Sequence, residues 1–293
     1  MSVFSVLPTP FDARGDFDPD SLRRVIDLFL ADGVTGFTAL GVTSEVARLT
    51  DRERDVVLDT VLTHVCGRAP VVAGTTADGL RTCIEYSRRA KKAGAASLMI
   101  SPPRMAKINS DAVARHFAEV AAAADMPIIV QDYPPISGYA MEASLLARIA
   151  REVPSARTIK LEDPPTPFKT SRILDLTVGL DVKIFGGLGG VFLLEELMAG
   201  AAGAMTGFAF PAILVEVVSL FQAGNLDAAA EAFYRRVPLM RFEFQESIGM
   251  AIRKEVLRRR GAITTPAVRP PGGTLDQPTM AALDRVMNWV SAT

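Results

Sequence analysis

The chain has 293 residues, 49% of them hydrophobic, and a formal net charge of -1, the profile of an ordinary soluble globular protein able to bury a large core. That charge balance gives no electrostatic reason to bind nucleic acid or anionic lipid. The length suits two average domains, or a single α/β barrel of about 250 residues with an appendage.

The N-terminus, Met1-Ser2-Val3-Phe4-Ser5-Val6-Leu7-Pro8, has no basic segment ahead of an apolar run, so it is expected to be part of the fold and not a signal peptide. Short apolar runs then recur, each followed by a stretch of helical length. They are Val3–Leu7, Gly36–Leu40, Pro70–Gly74, Ser97–Ile100, Pro127–Gln131, Thr158–Glu162, Val182–Gly186 and Gly203–Gly207. The first intervening stretch carries Leu22, Val25, Ile26, Phe29 and Leu30 at the spacing of one buried helix face. Asp18-Pro19 opens it as an N-cap followed by proline in the first turn. Eight strands alternating with helices imply parallel pairing through right-handed crossovers. Closed on itself, this is a (β/α)₈ TIM barrel, expected over residues 1–223.

The two cysteines, Cys66 and Cys83, and the two histidines, His64 and His116, have no metal-ligand spacing. No metal or cofactor is expected, and a reducing cytoplasm is the expected setting. Leu197 to Val215 carries no charge, but Gly200, Gly203, Gly207 and Pro211 divide it into a helix end, a short strand and a new helix start, which excludes a membrane span. The helical pattern beyond the eighth strand exceeds what a barrel needs, so a C-terminal helical extension is expected over 224–293. Within it, Arg258-Arg259-Arg260 just before Gly261 reads as cations at a helix C-terminus; polyanion binding is the alternative.

Lys160 is the one residue out of place. Strand side chains alternate faces, so Thr158, Lys160 and Glu162 point one way and Ile159 and Leu161 the other. With the apolar pair against the helices, Lys160 and Glu162 face the barrel interior near the C-terminal end of the strand, where barrel active sites are built. Partial desolvation favours the neutral amine, the form that attacks a ketone and yields a Schiff base. A buried Lys160–Glu162 ion pair without chemistry is the competing reading.

The motifs Leu7-Pro8-Thr9-Pro10-Phe11, Gly41-Val42-Thr43-Ser44-Glu45, Pro70–Thr75, Ile159-Lys160 and Arg253–Gly261 resemble, in order and spacing over essentially the whole chain, the dihydrodipicolinate synthase/N-acetylneuraminate lyase superfamily. The resemblance places Lys160 at that family's Schiff-base lysine. It implies a TIM barrel with a helical extension, a homotetramer, and a 2-keto acid as the small-molecule partner. It also implies that Gly41–Glu45 receives the substrate carboxylate, with Thr43 and Ser44 as donors, and that Gly187 and Met205 lie beside the substrate.

The departures are informative. The synthases of that family carry a threonine and two tyrosines as a proton relay, and Val42, Arg104 and Gln131 stand in those places here. Pro135-Ile136-Ser137-Gly138 replaces their arginine segment. Gln131-Asp132, Lys160-Leu161-Glu162 and Gly200–Gly207 are instead similar to segments of the L-2-keto-3-deoxyarabonate dehydratases, although Val42–Glu45 differs from their second-strand loop. The expected reaction is dehydration of a 2-keto-3-deoxy sugar acid, with Lys160 as nucleophile, Glu162 as acid/base and Gln131 orienting a hydroxyl or water. A pyruvate-releasing aldolase and a non-catalytic keto-acid sensor are the alternatives. Gly186-Gly187-Leu188-Gly189-Gly190 has no cation for a phosphate, so it reads as room for the keto acid.

Overall fold

The short apolar runs are too brief for buried helices and are bounded by glycine, proline and polar residues, and all eight form strands whose ends lie within a residue of those expected. The computed structural model describes residues 1–292. Strands β1 (Ser2–Val6), β2 (Gly36–Ala39), β3 (Val71–Gly74), β4 (Ser97–Ile100), β5 (Ile128–Asp132), β6 (Thr158–Leu161), β7 (Lys183–Gly186) and β8 (Gly203–Thr206) pair in parallel, each with the next, and β1 closes on β8. The fold is a (β/α)₈ TIM barrel.

The helices in chain order are α1 (Pro19–Ala31), α2 (Asp51–Val65), α3 (Leu80–Ala93), α4 (Ser110–Ala124), the single turn α5 (Pro134–Ser137), α6 (Ala143–Glu152), α7 (Thr166–Leu176), α8 (Leu193–Met198) and α9 (Pro211–Gln222). A helical tail follows: α10 (Leu226–Tyr234), α11 (Val237–Glu243), α12 (Gly249–Arg259) and α13 (Gln277–Ala292). Asp18 caps α1 by accepting from the Ser21 amide at 3.0 Å, and Leu22, Val25, Ile26 and Phe29 are buried. Each such side chain contributes roughly 1.5–3 kcal/mol on burial, so this face holds the helix on the sheet.

Alternation along the strands separates two apolar layers. Leu98, Ile100, Ile128, Val130, Ile159 and Leu161 face outward into the core shared with the helices. Val72, Met99, Ile129, Phe185 and Met205 face inward, with Phe4 packed edge-on against Phe185. Lys160 belongs to the inward row.

The uncharged stretch from Leu197 is divided as expected: α8 ends at Met198, β8 occupies Gly203–Thr206, and α9 begins at Pro211. No helix among the described residues is long and apolar enough to cross a membrane. The arginine run makes pairs within the protein: Arg258 and Arg259 each contact Glu255 at 2.8 Å, and Arg260 contacts Asp32 at 3.0 Å. These contacts support the helix-end reading and leave no unpaired basic patch there.

The tail is also tied to the loop after β2. Lys254 of α12, fully buried, places its ammonium 2.5 Å from Glu45 and 4.3 Å above the Phe11 ring, and donates to the Ala267 carbonyl at 2.7 Å. Burial pushes this amine down to about 8, against the opposing pull of Glu45. Removing one partner of such a buried pair costs about 3–5 kcal/mol, so the pair anchors the Gly41–Glu45 loop.

Candidate active site

Register places the reactive groups side by side. Lys160 on β6 pairs with Gln131 on β5, and the two side chains share the barrel interior with Glu162, the residue after β6. The Lys160 ammonium lies 3.2 Å from Glu162 Oε2, with side chains only 5% and 9% exposed. Gln131 Nε2 donates to the same oxygen at 2.6 Å, and Ser101 Oγ donates to Gln131 Oε1 at 3.1 Å. The reverse orientation of the Gln131 amide would set two acceptors against each other, so Ser101 and Glu162 together fix it. The result is a row, Ser101–Gln131–Glu162–Lys160, in which one carboxylate is held between an amide and an amine.

Gly187, after β7, makes room for that carboxylate. A Cβ there would lie 2.6 Å from Glu162 Oε1, closer than carbon and oxygen can approach without displacement. Any side chain at 187 would therefore push Glu162 out of line. Met205 lies in the interior apolar layer with Phe185 and Ile129; it offers a wall and no strong donor.

In the loop after β2, Ser44 is committed to the fold. Its hydroxyl donates to the Leu7 carbonyl at 2.5 Å and accepts from the Gly41 amide at 3.1 Å, while its own N–H donates to the Gly41 carbonyl at 3.0 Å. Thr9 in turn donates to the Ser44 carbonyl at 2.6 Å. The Thr43 hydroxyl, by contrast, is buried without a partner. Of the two donors expected in this loop, Thr43 is free and Ser44 holds the loop in shape.

Two cavities flank this loop and share Val42 and Ile136 in their walls. One of about 250 Å³ is lined by Gln131, Ser101 and Met99. The other, about 370 Å³, is lined by Thr43, Tyr133 and residues of α12. A small acid fits volumes of this order. A larger groove of about 540 Å³ lies between α2 and α3; Lys160 and Glu162 line neither it nor the two cavities beside the loop, and Gln131 and Ser101 are the members of their row that reach a cavity wall. Among the described residues, no three His, Cys, Asp or Glu side chains are grouped to hold a metal ion.

Three further residues of the site went unnoticed in the sequence. Ser101 follows β4 two residues after the inward Met99, so the parity argument used for Lys160 reaches it too. Tyr133 lines the larger cavity, and its phenol is pushed up by burial first and then by the charges of Glu162 and Glu246. Glu196 of α8 carries no signal in the sequence, because its helix packs it under Gly186, where Thr166 donates to it at 2.6 Å. Asp132, next to Gln131, points outward as strand alternation requires, and pairs with Lys169 at 2.5 Å.

Among the described residues, no cation pairs with Glu196. Burial pushes its carboxyl up to about 7 from an ordinary 4.5. Between those values the folded chain holds a proton that the unfolded chain has lost, so the Glu196 contribution is complete below about pH 4.5 and is lost as pH rises through about 7. Glu196→Gln, which still accepts from Thr166, is therefore expected to stabilise the fold at pH 8 by up to about 3 kcal/mol, with little gain at pH 4.5. Thermal unfolding at the two pH values checks this; an equal shift at both would show that the carboxyl does not titrate as described.

A sequence profile of the Dihydrodipicolinate synthetase family matches residues 1–289. The L-2-keto-3-deoxyarabonate dehydratase of Azospirillum brasilense is 34% identical over 284 residues, covering 96% of this chain and 91% of that protein. The 4-hydroxy-tetrahydrodipicolinate synthase of Methanothrix thermoacetophila is 31% identical and covers 99% of this chain and 96% of its own length. Among solved structures, the dihydrodipicolinate synthase from Rhodopseudomonas palustris superposes with a TM-score of 0.93 at 32% identity, covering 98% and 97% of the two chains. The chain thus belongs to the dihydrodipicolinate synthetase family and is an enzyme of its lyase type.

Proposed function

We propose that this lyase forms a Schiff base between Lys160 and a 2-keto-3-deoxy sugar acid, 2-keto-3-deoxyarabonate being the first candidate, and eliminates water from it. The observation that carries the reading is the row in which Gln131, not a tyrosine, holds Glu162 beside Lys160. The likeness to an arabonate-series dehydratase supports the substrate class.

In the first step the Lys160 amine attacks the C2 ketone and water leaves as the imine forms. The imine withdraws electrons from C3, and Glu162 takes a C3 proton to give the enamine. The enamine pair then expels the C4 hydroxyl, which leaves as water with the proton Glu162 has just gained. Glu162, again unprotonated, takes a C5 proton and returns one to C3, which turns the conjugated imine into a C4–C5 enol that tautomerises to the aldehyde; hydrolysis of the remaining imine releases the semialdehyde and returns Lys160. Thr43 binds the carboxylate, Gly187 and Met205 shape the space around the chain, and Ser44 positions the loop. No redox change occurs, so the balance needs no cofactor. The family likeness also supports a homotetramer working in the cytoplasm, with a native mass of four chains as its check.

A screen of 2-keto-3-deoxy acids that measures both pyruvate and dehydrated semialdehyde tests the reaction type. Semialdehyde is expected; pyruvate would make the enzyme an aldolase, and neither product would leave a keto-acid sensor. In the same assays, pyruvate and aspartate semialdehyde should not yield the lysine-pathway heterocycle, because Val42, Arg104, Gln131 and Ile136 lack the hydroxyl relay and the arginine position of the synthases. Turnover like that of a synthase in a coupled reductase assay would refute this.

A further inference from the structure

We propose that Arg253, on α12 of the C-terminal tail, joins Thr43 in binding the carboxylate of the 2-keto acid, so that the tail supplies part of the active site. This rests on the keto-acid reading above and goes beyond it, since the sequence placed every substrate contact in the barrel.

Arg253 is 5% exposed. Its Nε donates to Glu243 at 2.6 Å, and its Nη2 donates to the Gly207 carbonyl. Its Nη1 is buried with no partner, as is Thr43 Oγ1. The two converge on Gly207, directly after β8: a Cβ on that glycine would lie 2.8 Å from Thr43 Oγ1 and would collide with Arg253 Nη1. Both residues line the 370 Å³ cavity at the C-terminal ends of the strands. A buried donor left unmade costs about 1–3 kcal/mol, more on a charged group, and two such donors side by side on one cavity wall are satisfied together by an anion.

A carboxylate fits them, since one oxygen can take the guanidinium N–H and the other the hydroxyl. Neutralising Glu243 does not account for the geometry. Glu243 meets Arg253 through Nε, and both its oxygens also accept from the Ala209 amide at 3.1 Å. Glu243 thereby fixes the guanidinium plane and leaves Nη1 unpaired beside Gly207 and Thr43. Glu243 is a positioning residue, and Arg253 with Thr43 is the binding pair.

The test compares borohydride capture of pyruvate with that of methyl pyruvate, which has the ketone but no carboxylate. Wild type is expected to prefer the acid. In Arg253→Met/Glu243→Gln, which leaves no unpaired carboxylate buried, capture of pyruvate should fall about 10- to 100-fold, the worth of a charge-assisted hydrogen bond, while capture of the ester changes little. Glu243→Gln alone keeps Arg253 and removes its counter-ion, so the preference for the acid should grow. An equal fall for both ligands in the double variant overturns the proposal, as does unchanged capture of pyruvate. If the double variant does not fold, a preference that is unchanged or lowered in Glu243→Gln overturns it. Wild type capturing both ligands equally removes Arg253 alone; wild type capturing neither removes the Schiff-base reading as well.

Discussion

Lys160→Arg is expected to abolish borohydride trapping of pyruvate and to lower turnover on the order of 10⁵-fold or more, the scale seen when a covalent nucleophile is removed. Arginine keeps a cation within reach of Glu162, 3.2 Å away in the wild type, so the loss reports the missing nucleophile and not a stranded carboxylate. The protein offers a second buried lysine as a control. Lys254 is fully buried and its amine is brought down to about 8, which by that criterion alone makes it the better candidate. Its ammonium, however, is enclosed by Glu45, the Ala267 carbonyl and the Phe11 ring. A lysine so enclosed has no room for a ketone. Peptide mapping of the reduced adduct should find the ligand's mass on the Lys160 peptide. An adduct on the Lys254 peptide, or one that persists in Lys160→Arg, would overturn the assignment.

The contrast between these lysines shows what was legible in the sequence. Lys160 stands out because it interrupts an apolar strand, and a period of two then fixes which face it takes and that Glu162 shares it. The eight strands were legible for the same reason: each is a local pattern with a local cause. Lys254 gives no such signal, since it sits in a charged helix beside Arg253 and Glu255, and only the packing of α12 on the Gly41–Glu45 loop reveals that it is buried. The same holds for Arg253 and Glu196, whose environments are built from segments distant in the chain. Ser44 shows the converse. Its place in a carboxylate-binding motif suggested a donor, and the fold engages its hydroxyl with Leu7 and Gly41.

Glu162→Gln should separate imine formation from elimination. The amide is nearly the same size, and its oxygen can still accept from Gln131 Nε2 and Lys160, which lie at 2.6 and 3.2 Å from the carboxylate oxygen it replaces. The row should therefore keep its geometry. What is lost is the capacity to take the C3 proton and return it to the departing hydroxyl, worth on the order of 10² to 10⁴ in turnover for a general acid/base. The variant should still capture pyruvate under borohydride, and it should exchange the methyl protons of bound pyruvate with deuterium far more slowly than wild type. If Glu162 only balances the charge of Lys160, the pattern is different. Dehydration would then continue near the wild-type rate in the variant, alongside unchanged trapping. That second outcome would remove Glu162 from the proton transfer and pass the role to a hydroxyl of the cavity walls, that of Thr43, Tyr133 or Ser101.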